Sequence, residues 1–345
     1  MPLKISTSGV AALIRKLSET GRTVIAPVSR GEFTDFDRVS TLEEADLSRV
    51  NTRSSVKRLF FPPTEPVLSF ALDGRRVALD ELPPAVPRTF VVFGCRPCDA
   101  AALPILDKVF SWDCDDRFYL ARRAAGTIIS IACTDCDDAC FCTALGLAPD
   151  SAAGSDVLLT PFEDGYIVDP CSDKGGALAK ACRELLGECA ADRAEILRAV
   201  RKKLPPPMDL NAIKVWLDRH FDDDHWRNAS FKCLGCGCCT YLCPTCHCFD
   251  IVDEADSRRG LRRRNWDSCQ FAQFTAHASG HNPRPVQAAR WRQRIMHKFS
   301  YYVDRFGTRS CVGCGRCIRS CPVQMDLKHQ LKGIETQARG DRKRR

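Results

Sequence analysis

The stretch Cys233-Leu-Gly-Cys236-Gly-Cys-Cys239-Thr-Tyr-Leu-Cys243-Pro244 returns as Cys311-Val-Gly-Cys314-Gly-Arg-Cys317-Ile-Arg-Ser-Cys321-Pro322. Both read C-x2-C-x2-C-x3-C-P, a spacing that supplies thiolates to a pair of [4Fe-4S] cubanes. Three cysteines at two-residue intervals put three sulfurs on one tight loop. Gly235 and Gly313 precede the second cysteine of each run. Glycine takes positive φ freely, which turns backbone N–H groups toward the sulfides. The proline ends the loop and brings no N–H of its own. The fourth cysteine of such a run serves the other cluster. The expected ligands are Cys233, Cys236, Cys239 and Cys321 for cluster A, and Cys311, Cys314, Cys317 and Cys243 for cluster B. Cys238 reads as a spare. C-x2-C pairs also bind zinc, but zinc explains neither the third spaced cysteine nor the repeated Cys-Pro.

Outside these runs, 345 residues suggest about two domains. The apolar (44%) and charged (27%) fractions are those of an ordinary globular chain. No stretch approaches the ~20 apolar residues of a membrane-spanning helix. The start, Met-Pro-Leu-Lys-Ile-Ser, has no apolar signal region and no twin arginine. The expected location is cytoplasmic, where 22 cysteines are metal ligands rather than disulfides. The net charge of +8 gathers at Arg258, Arg259, Arg262, Arg263 and Arg264, at Arg284, Arg290, Arg292, Arg294, His297 and Lys298, and in the final Asp-Arg-Lys-Arg-Arg. Such runs are more often solvated faces or docking surfaces for an acidic partner than nucleic-acid sites. No nucleic acid is expected.

The fold class expected is α+β: an N-terminal α/β domain with a C-terminal helical ferredoxin-like two-[4Fe-4S] domain. Val10 to Leu17 has helical spacing, and Thr23-Val-Ile-Ala is a short strand. Thr89-Phe-Val-Val-Phe-Gly94 and Thr127-Ile-Ile-Ser-Ile-Ala132 are continuous apolar runs of the kind that form buried strands. Hairpins are expected over 66–79 and 156–168, turning at Asp73-Gly74 and Asp164-Gly165. A long helix is expected over 176–204, with Cys182 and Cys189 on its buried face. Leu204-Pro-Pro-Pro-Met208 marks the domain boundary, and a helix follows from Asp209. The expected division is 1–204 for the α/β domain, 205–230 for a linker and helix, 231–335 for the two-cluster domain and 336–345 for a basic tail. The 67 residues between Cys243 and Cys311 exceed what a compact β-rich two-cluster domain needs. Helical patterns over 272–279 and 285–302 favour helices there.

A second thiol group lies in the N-terminal half. Cys98 follows the first buried strand; Cys133, Cys136, Cys140 and Cys142 follow the second. Functional groups gather beyond the carboxyl ends of parallel strands, so two adjacent strand ends would bring these thiols together. Cys98, Cys133, Cys140 and Cys142 complete a third cubane, although spacing alone allows Cys136 to replace one of them, and zinc is the alternative. Cys246, Cys248 and Cys269 suggest a further metal with His247 or His277, or else thiols beside cluster A. Cys243-Pro-Thr-Cys246-His247 matches the c-type haem pattern, but haem would consume a cluster B ligand. Cys95 and Cys98 form a C-x-x-C for which disulfide exchange is not expected.

With these residues in view the chain resembles, over nearly its whole length, the iron–sulfur electron-transfer subunits of anaerobic sulfite reductases and of cytoplasmic sulfhydrogenases (in the latter, the beta subunit). The resemblance rests on Arg96-Pro-Cys98-Asp99, Cys133, Cys140-Phe-Cys142, Pro244-Thr-Cys246-His-Cys248, Trp266-Asp-Ser-Cys269, His297-Lys-Phe-Ser-Tyr301 and the second cluster run. It implies Cys98, Cys133, Cys140 and Cys142 as the third set. It also implies an electron wire between a flavoprotein subunit, which carries FAD and handles NAD(P)H, and a terminal reductase or hydrogenase subunit. Cys95, Cys136 and Cys238 depart from the family pattern.

The chain has no G-x-G-x-x-G placed to bind a dinucleotide, no P-loop, no nucleophile elbow and no H-E-x-x-H. No catalytic residue is assigned, and single-electron relay is the expected role. A zinc-bearing nucleic-acid or assembly module is the alternative. Arg316 and Arg319 would favour the reduced form of a nearby cluster, or are solvated loop charges.

Overall fold

The structure, a computed structural model, describes residues 2–74, 76–84 and 89–343. Its strands in chain order are β1 (Leu3–Ser6), β2 (Thr23–Arg30), β3 (Phe33–Val39), β4 (Thr64–Asp73), β5 (Arg76–Glu81), β6 (Phe90–Cys95), β7 (Gly126–Ile131), β8 (Val157–Phe162), β9 (Gly165–Pro170), β10 (Gly187–Glu188), β11 (Phe249–Ala255) and β12 (Arg259–Trp266). The two continuous apolar runs are β6 and β7. Strands apolar on both faces need cover on both. They lie side by side and parallel within an eight-stranded sheet ordered β10-β1-β9-β8-β7-β6-β2-β3. The helix Thr7–Glu19 covers one face through Val10, Leu13, Ile14 and Leu17, packed on Val91 and Phe93. Ser6 caps it by accepting the Gly9 N–H at 3.1 Å. The alternate residues Phe90 and Val92 face Phe60, Phe61, Leu103, Leu106 and Tyr119 on the other side.

Both expected hairpins form, as β4–β5 and β8–β9; residue 75 of the first turn lies outside the described residues. The long helix over 176–204 does not form. Its apolar spacing is real, but Gly187–Glu188 leaves as β10 to pair with β1, and Asp192 starts a new helix by accepting the Ala194 N–H. Cys182 and Cys189 are buried all the same. The 272–279 helix shrinks to a 3-10 turn, Gln273–Thr275. The 285–302 helix runs from Gln287 to Met296 and then widens into a π turn, His297–Tyr301.

The hairpin β11–β12 has no counterpart in the sequence expectations. It joins β4 and β5 in a second sheet, ordered β11-β12-β4-β5, that draws strands from both halves of the chain. The basic group 258–264 sits largely here: Arg258, Arg259 and Arg262 are exposed, as a solvated face would be, Arg263 is half-buried and Arg264 is buried. Arg262 and Arg263 pair across the hairpin with Asp253 and Glu254 at 2.8 and 2.7 Å. Arg264 turns inward to Asp116 and, at 2.7 Å, to buried Glu65, which Arg122 also reaches at 2.5 Å.

A second core gathers Trp216, Leu217, Trp226, Trp291, Ile295, Phe299 and Leu331, and it takes in Phe141 and Ala144 from the N-terminal half. Asp209 caps the helix Leu210–Arg219 that supplies Trp216, its carboxylate accepting the Ala212 N–H at 2.9 Å. The helix Leu327–Lys343 closes this core, so the basic tail is helical through Lys343; Arg344 and Arg345 lie outside the described residues. No helix among the described residues is long and apolar enough to cross a membrane.

Candidate metal centres

Cys233, Cys236, Cys239 and Cys321, the set expected for cluster A, line one cavity of about 470 Å³ with Trp291, Met325 and Leu327; Cys238 and Cys317 also reach it. Gly235 and Gly237 stand at φ of 68° and 74°, the conformation that curls the loop around its sulfurs. A Cβ on Gly235 would meet Gln287 Oε1 at 2.9 Å. That glutamine donates from Nε2 to Cys233 Sγ at 3.2 Å, and the Met325 N–H donates to Cys321 Sγ at 3.2 Å. The two runs therefore cross: the first supplies three thiols of this site and the second supplies its fourth.

The reverse crossing holds for the set expected for cluster B. Cys243 feels the charges of Cys311, Cys314 and Cys317; Cys243 and Cys314 are buried and the other two half-buried. Lys298, only 3% exposed, reaches Cys243 Sγ at 3.4 Å, Thr245 Oγ1 at 3.1 Å and the Ser310 carbonyl at 2.8 Å. Gly313 and Gly315, at φ of 63° and 73°, let this loop lie directly on the N-terminal half. A Cβ on Gly313 would stand 2.6 Å from the Cys142 backbone, and one on Gly315 would stand 2.5 Å from the Ala139 carbonyl oxygen. The Phe141 N–H donates to the Gly313 carbonyl at 2.9 Å.

That contact leads to the third site. Cys98 follows β6 and Cys133 follows β7, and the parallel pairing of these strands brings the two thiols beside Cys140 and Cys142 in a cavity of about 390 Å³. Cys136 lines the same cavity, as does Cys314. Cys133 interacts with Cys98, Cys140 and Cys142, and Cys136 acts on Cys142 while standing among Asp135, Lys203, Asp137 and Asp138. Arg319 donates to Cys140 Sγ at 3.1 Å and pairs with Asp137. Asn51 Nδ2 lies 3.7 Å from Cys98 Sγ and 3.5 Å from the Cys314 carbonyl. Arg316 is not a solvated loop charge: it is 2% exposed and ion-paired at 2.8 Å with Asp99, which is equally inaccessible. Cys95, the last residue of β6, is buried in the core.

Cys246, Cys248 and Cys269 are also drawn together. The Cys248 thiol lies against Cys269, and Cys246 against Cys243. His247 is packed on His297 with ring centroids 5.3 Å apart, and His277 faces His281 in an exposed loop. Arg294 donates to Cys246 Sγ at 3.5 Å and to the Cys239 carbonyl at 3.0 Å. Lys57 stands 3.8 Å above the Trp266 ring and 3.5 Å from the Thr240 carbonyl. Sequence reasoning missed Lys57, Gln287, and the inward roles of Arg294 and Lys298. The signal for the last two was present: they sit four apart beside the apolar residues Ile295 and Phe299.

The thiols suit a polynuclear core better than a single ion. Among the described residues no three His, Cys, Asp or Glu side chains converge as one metal ion requires. The two cavities are instead lined by several thiols and provided with N–H donors aimed at sulfur, the setting of an iron–sulfur cluster. Burial pushes Cys133 up to about 12 and Cys140, Cys142, Cys239 and Cys311 up to about 11, so a bound cation must displace protons to make thiolates.

Residues 232–325 match the 4Fe-4S dicluster domain family, which spans both cysteine runs. Over 329 residues, the chain is 30% identical to "Sulfhydrogenase 2 subunit beta" of Pyrococcus furiosus, covering 94% of this chain and 95% of that protein. The likeness takes in the N-terminal thiol site as well as the dicluster region. The chain belongs to the sulfhydrogenase beta-subunit family of iron–sulfur electron-transfer subunits.

Proposed function

We propose that this chain relays single electrons between an NAD(P)H-linked flavoprotein subunit, which carries the FAD, and a terminal hydrogenase or reductase subunit. Cys233, Cys236, Cys239 and Cys321 hold one [4Fe-4S] cluster; Cys311, Cys314, Cys317 and Cys243 hold a second; Cys98, Cys133, Cys140 and Cys142 hold a third. Residues 231–335 act as a ferredoxin-like two-cluster unit that contains, besides helices, the β11–β12 hairpin by which it joins the α/β unit of 1–204. When bound, each cluster accepts and passes one electron at a time. The protein's own residues fix the sulfurs, exclude water and set the local charge. Gln287, Arg319 and the Met325 N–H aim at sulfur, and Lys298 and Arg316 offset the negative charge that four thiolates bring.

The observation that carries the reading is the continuity of the sites. Cys314 borders the third cavity while belonging to the second set, and the crossed runs tie the second set to the first. Isolated zinc sites would need no such chain. Protein purified without oxygen should be brown, with broad absorption near roughly 400 nm that dithionite bleaches. Cys98→Ala should remove about one cubane of iron and Cys136→Ala none. Colourless protein with stoichiometric zinc would refute the relay, and equal iron loss from the two variants would refute the third ligand set.

A further inference from the structure

We infer that Cys246, Cys248 and Cys269 hold a fourth iron–sulfur centre through three thiolates, its remaining corner free of cysteine. The inference rests on the iron–sulfur reading of the other three sites and extends it to thiols those sites do not use.

The hairpin β11–β12 explains how the three thiols meet. Cys248 precedes β11 and Cys269 follows β12; the strands pair from Phe249 opposite Trp266, and the Asp267 N–H closes the ladder on the Cys248 carbonyl at 3.0 Å. The two thiols are thereby clamped together across the hairpin's base. Cys246 stands two residues upstream, on the same short segment.

Polar and charged groups stand beside these thiols, which an ordinary core thiol does not need. Gln270 Nε2 donates to Cys269 Sγ at 3.5 Å, and Arg294 donates to Cys246 Sγ at 3.5 Å. Lys57, Arg294 and Lys298 surround the group and are each no more than 3% exposed. None of the three has a carboxylate partner among the ion pairs of the described residues; the buried carboxylates Glu65 and Asp99 are paired with Arg264, Arg122 and Arg316. Buried positive charge without a counter-charge is strongly disfavoured. Clusters A and B offset part of it, since Lys298 touches Cys243 and Arg294 touches the Cys239 carbonyl. Lys57 has its hydrogen bond to the Thr240 carbonyl rather than to a sulfur of either set, and the thiol acting on it most is Cys246, followed by Cys243 of the second set and then Cys248.

Orphaned donors supply a separate argument. Arg294 Nε–H and Trp266 Nε1–H are buried with no acceptor, and these side chains flank the thiol group through Cys246 and Lys57. Buried N–H groups are nearly always satisfied. The sulfides of a cluster are acceptors of the right kind. A single zinc ion would offer none, and the three thiols do not converge tightly enough for one.

The test is iron and acid-labile sulfide per chain in the full-length protein, reconstituted without oxygen. Three cubanes account for about twelve irons. The fourth centre predicts three to four more than those about twelve irons, and a return to about twelve in both Cys248→Ala and Cys269→Ala. A wild-type count of about twelve, or variants that keep the full wild-type count, overturns the fourth centre and leaves the relay standing. A wild-type count near zero overturns both. If a variant fails to fold and loses all its iron, the wild-type count alone decides, by the same threshold.

Discussion

The N-terminal thiol site and the C-terminal pair use the same side chains in cavities of similar size, about 390 and 470 Å³, but they are assembled in opposite ways. The C-terminal sites come from two short loops whose cysteines are already adjacent in sequence. The N-terminal site exists only because β6 and β7 run parallel and side by side, and because glycine at 313 and 315 lets the second run lie on its rim. Charge is handled differently as well. Around the N-terminal site the cations have carboxylate partners, Arg316 with Asp99 and Arg319 with Asp137. Around the C-terminal sites Lys298 and Arg294 face sulfur and carbonyl oxygens instead. A site built by topology needs an ionic lock to hold its parts; a site built by local spacing can leave its cations free to serve the clusters.

The largest break in that comparison should come from Arg316→Met. It strands the Asp99 carboxylate in the interior, where loss of one partner of a buried pair costs about 3–5 kcal/mol. Chemical denaturation of the loaded protein should read a loss of that size, and adding Asp99→Leu should restore most of it. A loss under about 1 kcal/mol, as for an exposed pair, would show that the lock is dispensable.

This contrast also explains what was legible. The cluster runs, both early hairpins and the two buried strands are local patterns, and the structure contains them. The hairpin β11–β12 was invisible because its strands are charged and mostly exposed, held by Arg262–Asp253 and Arg263–Glu254 pairs and by β4 from far upstream. No hydrophobic alternation announces such strands. The helix over 176–204 misled for the converse reason: a helical apolar pattern persists, but Gly187 and the Asp192 cap interrupt the backbone. Arg316 looked like any loop arginine because Asp99 is 217 residues away.

A smaller effect sharpens the comparison from the other side. Lys298→Met removes a cation that stabilises the more negative, reduced state, so one cluster potential should fall. A charged hydrogen bond of about 1.5–3 kcal/mol corresponds to a drop of roughly 60–130 mV for one electron. Redox titration followed by electron paramagnetic resonance should show one shifted centre and an unchanged N-terminal one; an unshifted or raised potential would contradict the assigned role. Smallest of all, a double-mutant cycle on the half-exposed Arg262–Asp253 pair should return only about 0.2–1 kcal/mol.

The hydrogen bond from Phe141 to Gly313 has a consequence for how such a chain is made. The ribosome delivers the N-terminal thiols first, and the loop that completes their rim follows some 170 residues later. At about 5–20 residues per second, that leaves a nascent chain with bare sulfhydryls and the unpaired edge of β4 for on the order of ten to thirty seconds. The four thiols assigned to that pocket are all made by residue 142, but its rim stays open to water and oxygen until the second run has followed.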